Sequence, residues 1–152
     1  MRRHALGLVV CLGVMLAAAS AGAQEMDQMK RFGDYRVYYS LINSTFLTPE
    51  IAERYNVERS EDLAVVMVSV RAPNEENIIT AQPADVAGEA TDLVRHYNLD
   101  FEEFRDPSAV YYIAEVPAQG RTKVEVSLDI KPHDSDQTFE VEISKMFYPR
   151  QP

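Results

Sequence analysis

The sequence has 152 residues, a net charge of −9 at neutral pH and a single cysteine. A chain of this length is expected to fold as one domain around a core of its own. The acidic balance argues against a function in binding nucleic acid or anionic membranes, because both need clustered lysines and arginines.

The first 23 residues have the order of a secretory signal peptide. A basic start at Arg2 and Arg3 is followed by an apolar run over residues 5–16 and by small residues at 21–23, which predicts cleavage after position 23. The run is shorter than the roughly 20 residues of a membrane-spanning helix, so we expect no stable membrane insertion after cleavage. Removal of Cys11 would leave an exported chain without disulfides. These features predict a periplasmic protein stabilised by its core.

The start of the exported chain divides into a polar segment and a strand. Residues 24–32 are polar and are predicted to be a flexible N-terminus, with the folded domain over 33–150. The next run alternates with a period of two, which predicts a half-buried strand. The side chains predicted to point inward are those of Tyr35, Val37, Tyr39 and Leu41.

A turn and a short helix are predicted over residues 43–56. Thr48 can cap the first turn, and Pro49 suits the first helical position. So short a helix is not stable alone, so its apolar neighbours are expected to pack on the rest of the fold. These neighbours are Phe46, Leu47, Ile51 and Tyr55.

The remaining chain reads as further strands. Residues 61–72 and 108–117 are apolar on both parities and are predicted to be central strands. Residues 78–93 look like a strand pair broken at Pro83, in which Gly88 marks a close approach. Phe101 and Phe104 are three residues apart, so in a regular strand their side chains would point to opposite faces. This predicts a bulge that brings both rings to the core.

The last two strands are predicted over residues 121–132 and 138–149. The first alternates most regularly, with Val124, Val126, Leu128 and Ile130 inward, and the second has Lys145 out of pattern. Turns every 8 to 12 residues indicate an all-β fold. The prediction is an immunoglobulin-like antiparallel β-sandwich of about seven to eight strands, with one short helix between the first two.

Four local patterns together resemble one bacterial family. They are "GDYRVYYSLINSTFLTPEIAERY", "VAGEATDL", "AVYYIAEV" and "KMFYP". The chain is similar over nearly its whole exported length to the exported proteins grouped as domain of unknown function 4426. The resemblance implies a small envelope protein with an immunoglobulin-like β-sandwich, and it implies no catalytic residues.

Catalysis has no support in the sequence. The exported chain has no cysteine and no nucleophile elbow, and its two histidines, His96 and His133, are expected in solvent-facing loops. We therefore expect no enzyme activity, no catalytic residues and no cofactor.

Two weak metal-binding hypotheses remain. His133, Asp134 and Asp136 share one loop, but one loop supplies too few ligands for zinc, copper or calcium. Met26 and Met29 could bind Cu(I) through their thioethers.

The most informative candidate residues are tyrosines and the 43–56 stretch. In each of the pairs Tyr38-Tyr39 and Tyr111-Tyr112, one ring can fill the core while the other is exposed, and exposed aromatic rings on a sheet indicate binding. The predicted binding residues are Tyr38, Tyr111, Asn43, Ser44, Glu53 and Arg54. We expect a non-enzymatic binding module for another envelope protein. The alternative is a carrier of a small ligand or metal ion.

Overall fold

The computed structural model describes residues 28–148. The predicted signal peptide, residues 1–23, lies outside the described residues. Met26, one of the two methionines proposed to bind Cu(I), lies outside them as well. Within the described range, no helix is long and apolar enough to cross a membrane.

Ten strands and two short helical segments make up the described chain. The strands are β1 Gln28–Phe32, β2 Tyr35–Asn43, β3 Leu63–Pro73, β4 Ile79–Ala81, β5 Ala84–Thr91, β6 His96–Asn98, β7 Glu102–Asp106, β8 Ala109–Pro117, β9 Thr122–Pro132 and β10 Phe139–Phe147. Between β2 and β3 lie a 3-10 turn, Ser44–Phe46, and helix α1, Pro49–Arg54.

The strands form two antiparallel sheets. Sheet A has the order β1-β2-β3-β8-β7, with β4 also paired to β3, and sheet B has the order β10-β9-β5-β6. The chain passes from sheet A to sheet B at Pro83, between β4 and β5. The predicted all-β sandwich is confirmed, including its short helix. The strand number exceeds the prediction because β1 lies in the segment predicted to be flexible and β6 has three residues, too few to show an alternating pattern.

Strand β1 occupies residues that the sequence analysis placed in a flexible N-terminus. It pairs with β2 in register from Gln28 opposite Tyr39 to Phe32 opposite Tyr35. The Phe32 ring stacks on Phe139 of sheet B, with ring centroids 4.5 Å apart. Backbone pairing and this one aromatic anchor hold a strand whose other side chains are exposed, so residues 28–32 belong to the sandwich.

The main core lies between the two sheets. The inward positions predicted for β9 are all buried, and those of β2 and β3 meet them from sheet A. The close approach predicted at Gly88 is confirmed, because a Cβ there would lie 2.8 Å from both the Cδ2 of Leu128 and the carbonyl oxygen of Ser127. Lys145, out of pattern in β10, donates its Nζ to the carbonyl oxygen of Leu41 at 2.9 Å.

A second, smaller core covers the outer face of sheet A. Helix α1 and its flanks pack there on Ile42, Val65 and Ile113. This explains why β3 and β8 are apolar on both parities. It also corrects the bulge prediction, since Phe101 packs on the main core and Phe104 on the second core. Each ring has a core on its own side of the sheet, so both can be covered while keeping opposite parity.

One buried hydroxyl joins the two sheets. The Tyr112 hydroxyl in β8 accepts the backbone N–H of Ala84 in β5 at 2.8 Å and donates to Oε2 of Glu103 in β7 at 3.1 Å. Burial raises the pKa of Tyr112, and the hydrogen bond to the Glu103 carboxylate raises it as well. The hydroxyl therefore stays protonated at neutral pH and keeps both hydrogen bonds.

Candidate functional site

The turn before α1 uses its polar side chains to hold the backbone. Ser44 is fully buried, and its hydroxyl donates to the carbonyl oxygen of Ser60 at 3.0 Å and accepts the Ser60 N–H at 2.8 Å. Asn43 accepts the Thr45 N–H and donates to the Glu61 carbonyl oxygen. The prediction that Ser44 binds a partner is wrong, because its hydroxyl satisfies the backbone that leads into β3. Asn43 is also engaged in the turn.

Helix α1 has the predicted ends. The Thr48 Oγ1 accepts the Ile51 N–H at 3.3 Å, Pro49 is the first helical residue, and Asn56 has a left-handed φ of 50°. Glu53 and Arg54 are exposed on this helix. They remain solvent-facing, and they do not line the groove described below.

Phe46 does not pack in the core as predicted. Its side chain is 55% exposed, in a shallow pocket that also contains Met146 and Tyr148. The 3-10 turn ends at Phe46, and the next residue, Leu47, enters the second core instead. Leu47 has an extended backbone, with φ −70° and ψ 138°, so the chain leaves the turn between the exposed side chain and the buried one.

The structure brings Tyr38 and Tyr111 together on the outer face of sheet A. They line an open groove of about 420 Å³, to which Tyr55 at the end of α1 contributes a wall. We call this cavity the tyrosine groove. The side chains that define it are Tyr38, Tyr55, Met67, Ser69, Arg71 and Tyr111.

Tyr55 is the most firmly held of the three rings. It makes edge contacts with Phe104 and Tyr111, at centroid distances of 5.2 and 5.8 Å. Its hydroxyl donates to Oδ2 of Asp106 at 3.3 Å. Burial, and then the charge of Asp106, raises the pKa of Tyr55. The wall of the groove is therefore fixed by packing and by one hydrogen bond.

Three arginines lie in one row beside the tyrosines. Arg31 in β1 is directly opposite Arg36 in β2, which is directly opposite Arg71 in β3. Direct partners in antiparallel strands share a face, and Arg71 lines the tyrosine groove. We call these three residues the arginine row. The row was not predicted from the sequence, because it depends on the register of three strands, one of which was predicted to be flexible.

The family of the chain follows from its sequence. A family model described as "Domain of unknown function (DUF4426)" matches residues 29–150. This chain belongs to the DUF4426 family. The resemblance inferred from four short patterns is thereby confirmed.

Solved structures show how widely the fold is shared. The DUF4426 protein is similar to PA0388, a DUF4426 family protein from Pseudomonas aeruginosa PAO1, with 25% identity, a TM-score of 0.69, and coverage of 84% of this chain and 99% of that one. It is also similar in fold to FetP from uropathogenic Escherichia coli strain F11, in a copper-bound variant, with 9% identity, a TM-score of 0.55, and coverage of 82% and 97%. No curated protein sequence matches the chain.

The predicted metal ligands of the DUF4426 protein have separate partners. His133 Nε2 lies 3.1 Å from Oδ1 of Asp85, and Asp134 accepts the Tyr35 hydroxyl at 2.9 Å. Asp136 is exposed, as are His96 and His133. His133 lies in a turn as predicted, whereas the loop position predicted for His96 is wrong, because it is the first residue of β6. Among residues 28–148, no group of three or more histidine, cysteine, aspartate or glutamate side chains is placed to hold a metal ion. Met29 is exposed on β1.

Proposed function

We propose that this DUF4426 protein is a non-enzymatic binding module of the bacterial periplasm, and that the tyrosine groove contacts another envelope protein. One observation carries the proposal. Tyr38 lies in β2, Tyr55 caps the C-terminal end of α1 and Tyr111 lies in β8, yet their side chains converge around one groove open to solvent.

The chemistry of the groove supports binding. Tyrosine and arginine are enriched at protein interfaces, where they combine apolar area with hydrogen bonding. Tyr55 is already ordered by its contacts with Phe104, Tyr111 and Asp106, so little side-chain freedom would be lost when a partner binds.

The same lining gives little support to catalysis. Ser69 and the tyrosines line the groove, but within residues 28–148 no histidine, aspartate or glutamate side chain lines it with them, and imidazoles and carboxylates are the usual general bases that activate a hydroxyl. The predicted export signal over residues 1–23 supports the periplasmic location.

Site-specific photo-crosslinking in the native periplasm tests this proposal. A photoreactive amino acid replaces Tyr38 or Tyr111 in separate chains, and control chains carry it at Ser127 or Asp129, which are exposed on sheet B. We expect one discrete adduct with an envelope protein from the groove positions, reproduced with that purified partner, and none from the controls. Equal adducts from all four positions, or none from the groove, would contradict the proposal.

A small-ligand carrier is the second candidate, and the size of the groove favours it. Its volume of about 420 Å³ falls within the range of roughly 300–1,000 Å³ typical of small-molecule sites. A ligand that binds only the folded state raises the melting temperature. A shift with a small molecule, or with copper, zinc or calcium, that disappears in Tyr111→Ala would favour the carrier.

A further inference from the structure

We propose that the arginine row is the charge-recognition half of the tyrosine groove, and that the segment it receives is an extended, acidic stretch of the partner protein. This inference rests on the proposed function, and it adds the chemical class of the ligand. It commits to carboxylate side chains as the groups that meet Arg36 and Arg71.

The row places like charges side by side at a cost to the sheet. Neighbouring strands lie about 4.8 Å apart, so three arginines on consecutive strands span about 10 Å. Like charges directly opposite each other destabilise a strand pair. Folding alone gives no reason for Arg31, Arg36 and Arg71 to occupy matched positions.

Arg36 and Arg71 are also unusually enclosed. Both are half-buried, whereas every other arginine in residues 28–148 is exposed. Within that range, neither side chain has a carboxylate within 4 Å or a hydrogen-bond acceptor, although Arg95 and Arg105 each pair with an acid. A half-buried guanidinium loses hydration, and only a partner of opposite charge restores the lost interaction.

The positive charge of the arginine row indicates that the segment it binds carries carboxylates. The planar guanidinium forms paired, charge-assisted hydrogen bonds with carboxylates. In an extended segment, side chains two residues apart point the same way and lie about 7 Å apart. Two such acids can therefore each meet a guanidinium within the row. The tyrosine rings next to the row offer apolar contact to the side chains that follow.

A protein segment fits this surface better than a membrane or a nucleic acid. The whole chain carries a net charge of −9, which opposes approach to an extended polyanion. A single row of three cations suits a short acidic segment, which needs only a local contact.

The test uses two synthetic peptides that differ only in charge. One is acetyl-Ala-Glu-Val-Glu-Val-Glu-Ala-amide, and the other has glutamine at each glutamate. Each is titrated into the isotope-labelled exported chain while NMR follows the arginine Nε–H signals. We expect the Arg36 and Arg71 signals to shift with the glutamate peptide, which binds about tenfold or more tightly than the glutamine peptide.

Matched variants decide the outcome. The double variant Arg36→Gln/Arg71→Gln should abolish the difference between the peptides, while Arg121→Gln, which changes an exposed arginine next to β9, should keep it. Equal binding of both peptides, no binding of either at millimolar concentration, or a preference retained by the double variant would overturn the inference. Arginine shifts caused only by vesicles of phosphatidylglycerol and phosphatidylethanolamine would overturn it in favour of a membrane surface. None of these results removes the groove-specific crosslinks that support the proposed function, and loss of those crosslinks would count against that function separately.

Discussion

At the scale of single residues, neighbours in the 43–56 stretch have opposite environments. Ser44 and Leu47 are buried, whereas Phe46 is largely exposed. Residue type alone predicted the reverse for Ser44 and Phe46, because a serine in a turn usually faces water and a phenylalanine usually does not. The deciding contact is the Ser44 hydroxyl on the Ser60 backbone, which joins residues far enough apart that no local pattern reveals it.

The pair Phe46 and Leu47 gives a direct test of this arrangement. Leu47→Ala should lower the free energy of unfolding by about 2–4 kcal/mol, because it empties a position in the second core. Phe46→Ala should change it by less than about 0.5 kcal/mol, as expected for an exposed side chain. Urea denaturation of both variants measures this difference. A loss at Phe46 as large as the loss at Leu47 would contradict the described packing.

At the scale of elements, long alternating strands were predicted well and short or polar ones poorly. The β9 alternation and the Thr48 cap of α1 each express one local rule, so the sequence reveals them. Strand β1 is polar, so it shows no alternating pattern, and the ring on which Phe32 stacks, Phe139, is distant in the sequence. The tyrosine groove was predicted in part, since Tyr38 and Tyr111 were chosen from two separate strands. The position of Tyr55 in the groove depends on how α1 packs on sheet A, and the position of the arginine row depends on strand register. Neither could be predicted from the sequence.

The link between β5, β7 and β8 should depend on one hydroxyl. Tyr112→Phe keeps the ring but removes the acceptor for Ala84 N–H and the donor to Glu103. We expect a loss of about 1–3 kcal/mol in the free energy of unfolding, because a buried N–H is left without a partner. The control Tyr148→Phe changes an exposed ring and should leave stability unchanged in the same denaturation experiment. Equal stability of the Tyr112 variant and the wild type would mean that the hydroxyl does not stabilise the contact between sheets.

At the scale of the whole molecule, two carboxylates should make stability fall in acid. Hydrogen bonds from the Arg95 and Val94 backbone lower the pKa of Asp92, and the Arg105 side chain lowers that of Glu103. Because the unfolded chain binds these protons more readily, the stabilisation is present above the ordinary values of 3.8 and 4.5 and is lost as pH falls below them.

Melting curves between pH 7 and pH 3 measure this dependence. We expect the melting temperature to decline below about pH 4.5, and Asp92→Asn to decline less steeply than the wild type because one of the two carboxylates is gone. The control Asp136→Asn removes an exposed carboxylate and should follow the wild-type curve. Parallel declines in the wild type and Asp92→Asn would show that Asp92 does not contribute.

The charge pattern of the molecule would make the proposed binding face selective. A molecule with net charge −9 carries three matched arginines beside three tyrosines on the outer face of sheet A. The outer face of sheet A therefore combines local attraction for acids with general repulsion of large polyanions.

Crosslinking from one groove position in two arginine backgrounds tests the central claim most directly. The photoreactive residue stands at Tyr111, and the chain carries either Arg36→Gln/Arg71→Gln or the control Arg121→Gln, which changes an exposed arginine. We predict that the periplasmic adduct persists with the control and is lost with the double variant, whose melting temperature is measured alongside to confirm folding. An undiminished adduct from the folded double variant would contradict the claim that the groove and the arginine row act as one binding surface.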